Sequence, residues 1–307
     1  MEQRGSPVRI AVVGAGAIGG LLAAFAREAG HEVVLCVRTP LHELTVRSGG
    51  QVLRPDLEFA TDPAGQPPAD WVLLTTKAQD TDGARDWLDA LCGPGTTVAV
   101  VQNGVEHEER VGPLLPPGTR LLPTLAYIAA ERTAPGHLVH HHAHQLLVPE
   151  GESADRFAEL LAPSRLSVEP VADFRTAAWR KLLANVVANP VTALLQQRMH
   201  VFHDPEMYAA TRDILRETAA VARAEGARIG ADDVEEVLRL YTSVPPDGGS
   251  SMLYDRLAGR PLEHEHITGA VVRAAERHGV EAPLNRLLLT LLRAVDREIR
   301  GETAQPG

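Results

Sequence analysis

The feature that most constrains this chain lies at its start. The apolar run Val8-Arg9-Ile10-Ala11-Val12-Val13 passes directly into Gly-Ala-Gly-Ala-Ile-Gly-Gly at residues 14–20. The run has no helical period, so it reads as a buried strand of a parallel sheet. Gly14, Gly16 and Gly19 stand at the spacing G-x-G-x-x-G, and residues 21–29 read as the helix that follows. Gly14 permits the tight turn, Gly16 lets the backbone approach a pyrophosphate, and Gly19 lets the helix lie close to the strand. The helix N-terminus then offers free N–H groups and the positive end of its dipole to phosphates. A second strand, 32–37, arrives where a βαβ unit needs one. The loop Gly14-Ala15-Gly16-Ala17-Ile18-Gly19 is therefore expected to hold a dinucleotide.

The first half continues the alternation. Strands are expected at 8–13, 32–37, 71–76, 97–101, 120–125 and 138–148, and helices at 17–29, 80–91 and 105–114, with turns at Gly30, Pro94-Gly95 and Pro116-Pro117-Gly118. Such alternation implies parallel strands with helices on both faces, and ligands at the carboxyl ends of the strands. After residue 173 the pattern is helical throughout, at 173–197, 205–226, 231–241, 250–258, 262–278 and 283–300. The expected architecture is α/β: a Rossmann-type, doubly wound parallel sheet over 1–172, followed by an all-helical domain over 173–307. Residues 1–7 read as a disordered leader and 301–307 as a frayed tail.

Composition narrows the function classes. The 307 residues carry a net charge of −10 with no basic run or basic helix, which argues against nucleic acid or an acidic membrane as partner. Residues 10–26 are apolar or glycine, but the run holds four glycines and is too short for a bilayer. Cys36 and Cys92 form no spaced motif and suit a reducing cytoplasm as buried thiols.

Several residues follow strands or share helix faces. Arg38 closes the second strand, where NAD sites place an acid; an arginine there accommodates a 2′-phosphate and points to NADP(H), or is a plain surface arginine. Lys77 ends the third strand, where it approaches a cofactor or an anionic substrate, or is simply solvated. Asn103 offers its amide after the fourth strand, although Asn-Gly is also a common turn pair. Lys181, Asn185 and Asn189 stand four apart on one face of an apolar helix. Buried amides need partners, and Pro190 interrupts the ladder beside them, so the stripe fits a substrate surface or polar contacts between helices. Ser251 and Glu263, twelve residues apart, both fall near helix N-termini, Ser251 as N-cap and Glu263 as a first-turn acid. His140, His142 and His144 fall on one strand face and His141 on the other. Three such histidines suit zinc, but no acid or cysteine stands at ligand spacing, so a polar strand face without metal is expected.

Together these stretches resemble the ketopantoate reductase (2-dehydropantoate 2-reductase) family, within the wider 6-phosphogluconate-dehydrogenase-like group. The resemblance rests on GAGAIGG at 14–20, HEVVLCVR ending at Arg38, TTKAQDT around Lys77, and QNGV around Asn103. Further on it rests on WRKLLANVVANPVTAL at 179–194, ETAAVARAEG around Glu217, and SSMLYDRLAGRPLE at 250–263. It implies that the glycine loop and Arg38 bind NADPH, with Lys77 and Asn103 near the nicotinamide end. It further implies Lys181 as general acid, Asn185, Asn189 and Ser251 as holders of a 2-oxo acid, and Glu263 as the group that positions substrate and lysine. The reaction implied is hydride transfer to C2 of ketopantoate in a cytoplasmic enzyme, and the helical domain is large enough to offer a homodimer surface. The family pattern has Asn-Gly where Met199-His200 stands and threonine where Leu262 stands. A second reading therefore keeps the chemistry and changes the 2-oxo acid. A third is a non-catalytic NADP(H)-binding sensor.

Overall fold

A computed structural model describes residues 7–302, so the expected leader and tail lie outside the described residues apart from Pro7, Gly301 and Glu302. The chain divides into two compact units, residues up to 102 with 106–174, and residues 103–105 with 175 onward.

The first unit opens with β1 (Arg9–Val13), α1 (Ala17–Glu28) and β2 (Glu32–Cys36). There follow β3 (Thr45–Ser48), β4 (Gln51–Leu53), β5 (Glu58–Ala60) and β6 (Trp71–Leu74). Next come α2 (Arg85–Leu91), β7 (Thr97–Val100), α3 (His107–Val111) and β8 (Arg120–Pro123). The unit is completed by β9 (Leu125–Ala134), β10 (His137–Pro149), α4 (Glu152–Leu161) and β11 (Ser167–Val171).

Six strands form one parallel sheet in the order β5-β2-β1-β6-β7-β8. Alternate residues face opposite sides. Ile10, Val12, Leu35 and Leu73 pack with Leu21, Leu22 and Phe25 of α1 and Phe157 of α4, whereas Ala11, Val13, Val34 and Leu74 pack with Trp87, Leu88 and Leu91 of α2. Trp71 stacks on Phe157 with ring centroids 5.0 Å apart. Both faces are thus covered, which is why these strands read as continuous apolar runs. The strand order reverses between β1 and β6, and ligands of such sheets lie outside the carboxyl ends at that reversal. The residues that emerge there are Gly14 and Thr75 to Lys77. Cys36 and Cys92 are buried, and loss of water around the thiols pushes each up to about 12.

The second sheet departs from expectation. The strand expected at 138–148 does not extend the parallel series. As β10 it runs antiparallel to β9 and parallel to β3 and β11. The Pro135-Gly136 turn, with Gly136 at φ +72°, reverses the chain between β9 and β10, while Gly49 and Gly50, both at positive φ, close the β3–β4 hairpin. The expected alternation of His140, His142 and His144 is broken by two register shifts between them, with Ala143 at φ +59°. His140 is tied to Ser48 Oγ at 2.8 Å and to the Ala143 carbonyl at 2.7 Å, and His141 faces Glu131 at 3.7 Å. Among the described residues no group of three or more His, Cys, Asp or Glu is arranged to hold a metal ion. The helix expected over 80–91 is two 3-10 turns, Ala78–Asp80 and Asp82–Ala84, before α2. The Thr81 hydroxyl bonds back to the Ala78 carbonyl and ends the first turn.

The second unit is helical: α5 (Phe174–Leu195), α6 (Pro205–Ala224), α7 (Ala231–Ser243), α8 (Ser251–Leu257), α9 (His264–His278) and α10 (Pro283–Arg300). Its core joins Leu182, Leu183, Val186 and Val187 of α5 to Leu215, Leu238, Ile267 and Val271 from the other helices. Asp204 caps α6, accepting from the Glu206 and Met207 N–H groups, with Pro205 in the first turn. α5 runs through Pro190, as the helix expected over 173–197 does. The buried Tyr241 hydroxyl accepts from the Ala188 N–H at 3.2 Å and donates to the Ala184 carbonyl at 2.7 Å. A side chain from α7 thus bonds the Ala184 and Ala188 backbone groups just ahead of Pro190, while the carbonyl that loses its helical donor at the proline is that of Val186. No helix of the described residues is long and apolar enough to cross a membrane.

Candidate active site

In the first unit the glycines do distinct physical work. Gly14 has φ +112°, and a Cβ there would meet the Thr76 nitrogen at 2.9 Å. At Gly19 a Cβ would lie 1.9 Å from the Gly14 carbonyl oxygen and 2.3 Å from Thr75 Oγ1. At Gly16, the N-cap of α1, a Cβ would meet nothing within 4 Å. Close packing thus occupies two glycines, and the third leaves backbone open in front of the helix N-terminus. Thr75 Oγ1 donates to the carbonyls of Val13 at 3.0 Å and Gly14 at 2.9 Å, which fastens the exit of β6 to the glycine loop. Lys77 is half-buried two residues on, where the chain leaves the sheet for the first 3-10 turn. Arg38 lies beyond β2 with its side chain 87% exposed, 3.6 Å from Asp80 Oδ2.

In the second unit Lys181 projects from α5, half-buried. Removal of water around its ammonium pulls its pKa down to about 8, and the Glu263 carboxylate opposes that fall. Glu263 is buried, 4% exposed, and accepts from Asn103 Nδ2 at 3.2 Å. It is the N-cap residue of α9, not a first-turn acid; the first-turn acid is Glu265. Its carbonyl accepts the His266 and Ile267 N–H groups. The segment before it is clamped. Leu262 N–H donates to Asp296 Oδ1 at 2.7 Å, Asp296 Oδ2 accepts from Arg300 Nε at 2.6 Å, and Arg260 Nε donates to Asp255 Oδ1 at 2.9 Å.

Asn185 and Asn189 follow Lys181 by about one and two turns along α5, half-buried and buried respectively. The cap of α8 is Ser250, whose hydroxyl accepts from the Leu253 N–H at 3.1 Å; Ser251 is the first residue of the helix and is exposed. The one-residue difference matters, because capping leaves Ser250 committed and Ser251 available. Ser250 Oγ also lies 2.7 Å from Thr192 Oγ1, which ties the start of α8 to α5 just past Asn189.

Comparison with known proteins fits this arrangement. The family model described as ketopantoate reductase PanE/ApbA matches residues 10–153, and its C-terminal counterpart matches 173–296. The chain belongs to the ketopantoate reductase family. It is 40% identical to the 2-dehydropantoate 2-reductase of Caulobacter vibrioides over 287 residues, covering 93% of this chain and 98% of that one. It is equally similar to the 2-dehydropantoate 2-reductase of Mycobacterium tuberculosis, covering 93% and 97%. The crystal structure of a PanE/ApbA family ketopantoate reductase from Ralstonia eutropha superposes with a TM-score of 0.88 at 30% identity, covering 95% of this chain and 99% of that one. As a member of the ketopantoate reductase family, the chain is a nicotinamide-dependent oxidoreductase acting on a CH–OH or carbonyl group.

Sequence reasoning named Asn103, Lys181 and Glu263, and the second unit brings them together. It named the glycine loop and Lys77, which the first unit sets on either side of Thr75. It missed the supports: Thr75, the Ser250–Thr192 pair, and Asp296. Thr75 stands two residues before Lys77 and Ser250 directly precedes Ser251, so proximity in sequence was their signal. Asp296 had none, because its partner is a backbone N–H in the loop between α8 and α9.

Proposed function

We propose that this reductase converts ketopantoate to pantoate with NADPH, with Lys181 as the general acid. The observation that carries the reading is the half-buried Lys181 ammonium, drawn down to about 8, facing a buried Glu263 carboxylate that Asn103 holds. The glycine loop fits a dinucleotide, since Gly16 leaves open backbone at the N-terminus of α1 for a pyrophosphate. Arg38 is placed to exchange Asp80 for a 2′-phosphate, and β2 ends without an acid that would take a ribose hydroxyl. The first unit is accordingly the NADP-binding domain and the second the catalytic domain.

When bound, NADPH supplies the hydride that C2 of the oxo acid receives. As that bond forms, the carbonyl π pair moves onto oxygen. Lys181 stabilises the developing charge and transfers its proton to that oxygen, leaving the secondary alcohol and a neutral amine that solvent reprotonates. Glu263 favours the charged lysine beforehand. The Asn185 and Asn189 amides and the Ser251 hydroxyl are the donors left for the substrate carboxylate and hydroxyl. Met199 and Leu262, which depart from the family pattern, are both buried in the core of the second unit. His200, the other half of that departure, is exposed, and the two buried side chains support ketopantoate over a different 2-oxo acid.

The test is consumption of NADPH with ketopantoate beside an NADH control, repeated for Lys181→Ala. Turnover is expected to fall by ~10²–10⁴, the span for losing a general acid, with NADPH affinity unchanged. Full turnover in that variant would remove Lys181 from the role.

A further inference from the structure

At the ends of β6 and β7, Gln102 is buried at 5% exposure and every part of its amide is engaged. Its Nε2 donates to the Thr76 carbonyl at 3.1 Å and lies 2.9 Å from Thr76 Oγ1 and 3.0 Å from Thr81 Oγ1. Its Oε1 accepts from Arg110 Nε at 3.3 Å and Nη2 at 3.1 Å. Its backbone carbonyl is 2.8 Å from His107 Nε2. Because a guanidinium only donates, the two Arg110 contacts decide which end of the amide faces Thr76. The orientation is therefore fixed chemically.

The group so held is not an arbitrary stretch of chain. Thr75 is fastened to the glycine loop through Gly14, and Thr76 is fastened to Gln102 from the other side. The next residue is Lys77, whose backbone at φ −58° and ψ 147° turns the chain out of the sheet. We infer that Gln102 is a positioning residue: through Thr76 it fixes the backbone from which Lys77 meets the cofactor. A side chain needed only for volume would be apolar, since burying an amide yields little net stability even when fully bonded. What a saturated polar node supplies is one geometry. This inference rests on the NADPH reading above.

The experiment is a double-mutant cycle on NADPH affinity, measured by fluorescence titration of the whole protein. Lys77→Ala and Gln102→Leu are each expected to weaken NADPH roughly tenfold, as for loss of one charge-assisted contact. If Gln102 acts through Lys77, the double variant loses roughly tenfold and no more, because residues that act as one unit are not additive. A role in packing alone gives roughly a hundredfold loss in the double variant. Gln102→Glu supplies a second cycle should Gln102→Leu fail to fold. It keeps an oxygen for Arg110 and sets an acceptor against the Thr76 carbonyl, so the same non-additive loss is expected. Additive losses, unchanged affinity in either Gln102 variant, or unchanged affinity in Lys77→Ala overturn this inference alone. Absence of NADPH binding by the native protein overturns the cofactor reading, and this inference with it.

Discussion

Glu263→Gln separates charge from shape at the proposed acid. Lys181 sits near 8 against an ordinary 10.5, which makes it a stronger acid by about 3.4 kcal/mol. If half of that is felt in the transition state, proton transfer gains about 1.7 kcal/mol, or roughly twentyfold. The carboxylate of Glu263 acts in the opposite sense by favouring the ammonium. Glutamine keeps an oxygen for Asn103 and removes that charge, so the lysine should fall by about one further pH unit. The free-enzyme value governs kcat/KM. For the native protein kcat/KM should be level below about pH 8 and drop about tenfold per unit above it, because only the ammonium form donates. For Glu263→Gln the drop should begin near pH 7. At about pH 7.5 roughly three-quarters of the native lysine and one-quarter of the variant's is protonated, a threefold difference that widens to about tenfold by pH 9. Initial rates of NADPH consumption at constant ionic strength read this directly. A midpoint that stays in place, or moves upward, would refute the pairing of Lys181 with Glu263.

Two more outcomes follow from distances already given. Arg38→Ala should weaken NADPH by about tenfold while leaving NADH within about twofold, as lost contact to a 2′-phosphate requires; equal losses for both would remove that role. Gly19→Ala should cost at least about 2 kcal/mol in denaturant unfolding, since its Cβ would lie 1.9 Å from the Gly14 carbonyl oxygen and the β1–α1 turn must open to admit it. A midpoint equal to the native one would mean that the loop does not pack as described.

What the sequence made legible followed from periodicity and burial. The parallel strands are buried on both faces and announce themselves as apolar runs, and α6, α7, α9 and α10 carry a one-sided apolar face that survives any context. The second sheet was harder to read. β9 is rich in alanine with Glu131 and Arg132, and Pro170 interrupts β11, so neither looks like a strand. Their pairing comes from β10 lying between them. Two signals were present and passed over: Gly49-Gly50 between short β-prone runs, and Ala154, Phe157, Leu160 and Leu161 at helical spacing in α4. At the site, the spacing of Lys181, Asn185 and Asn189 placed them on one helix face. The meeting of Lys181 with Glu263 is set by tertiary packing and came only from family resemblance, which set Asn103 near the nicotinamide end and did not pair it with Glu263. The offset between Ser250 and Ser251 is a boundary question that capping geometry alone decides.

The grouping of Asn103, Gly104 and Val105 with the helices has a practical consequence for dissecting the chain. No single cut yields the second unit entire. A fragment starting at residue 175 would keep all of α6 to α10 and nearly all of α5, yet would lack the amide that steadies Glu263 and the Val105 side chain that packs on the helical core. The second unit is therefore discontinuous along the chain. Complementation between two separately expressed fragments would have to carry residues 103–105 across the break.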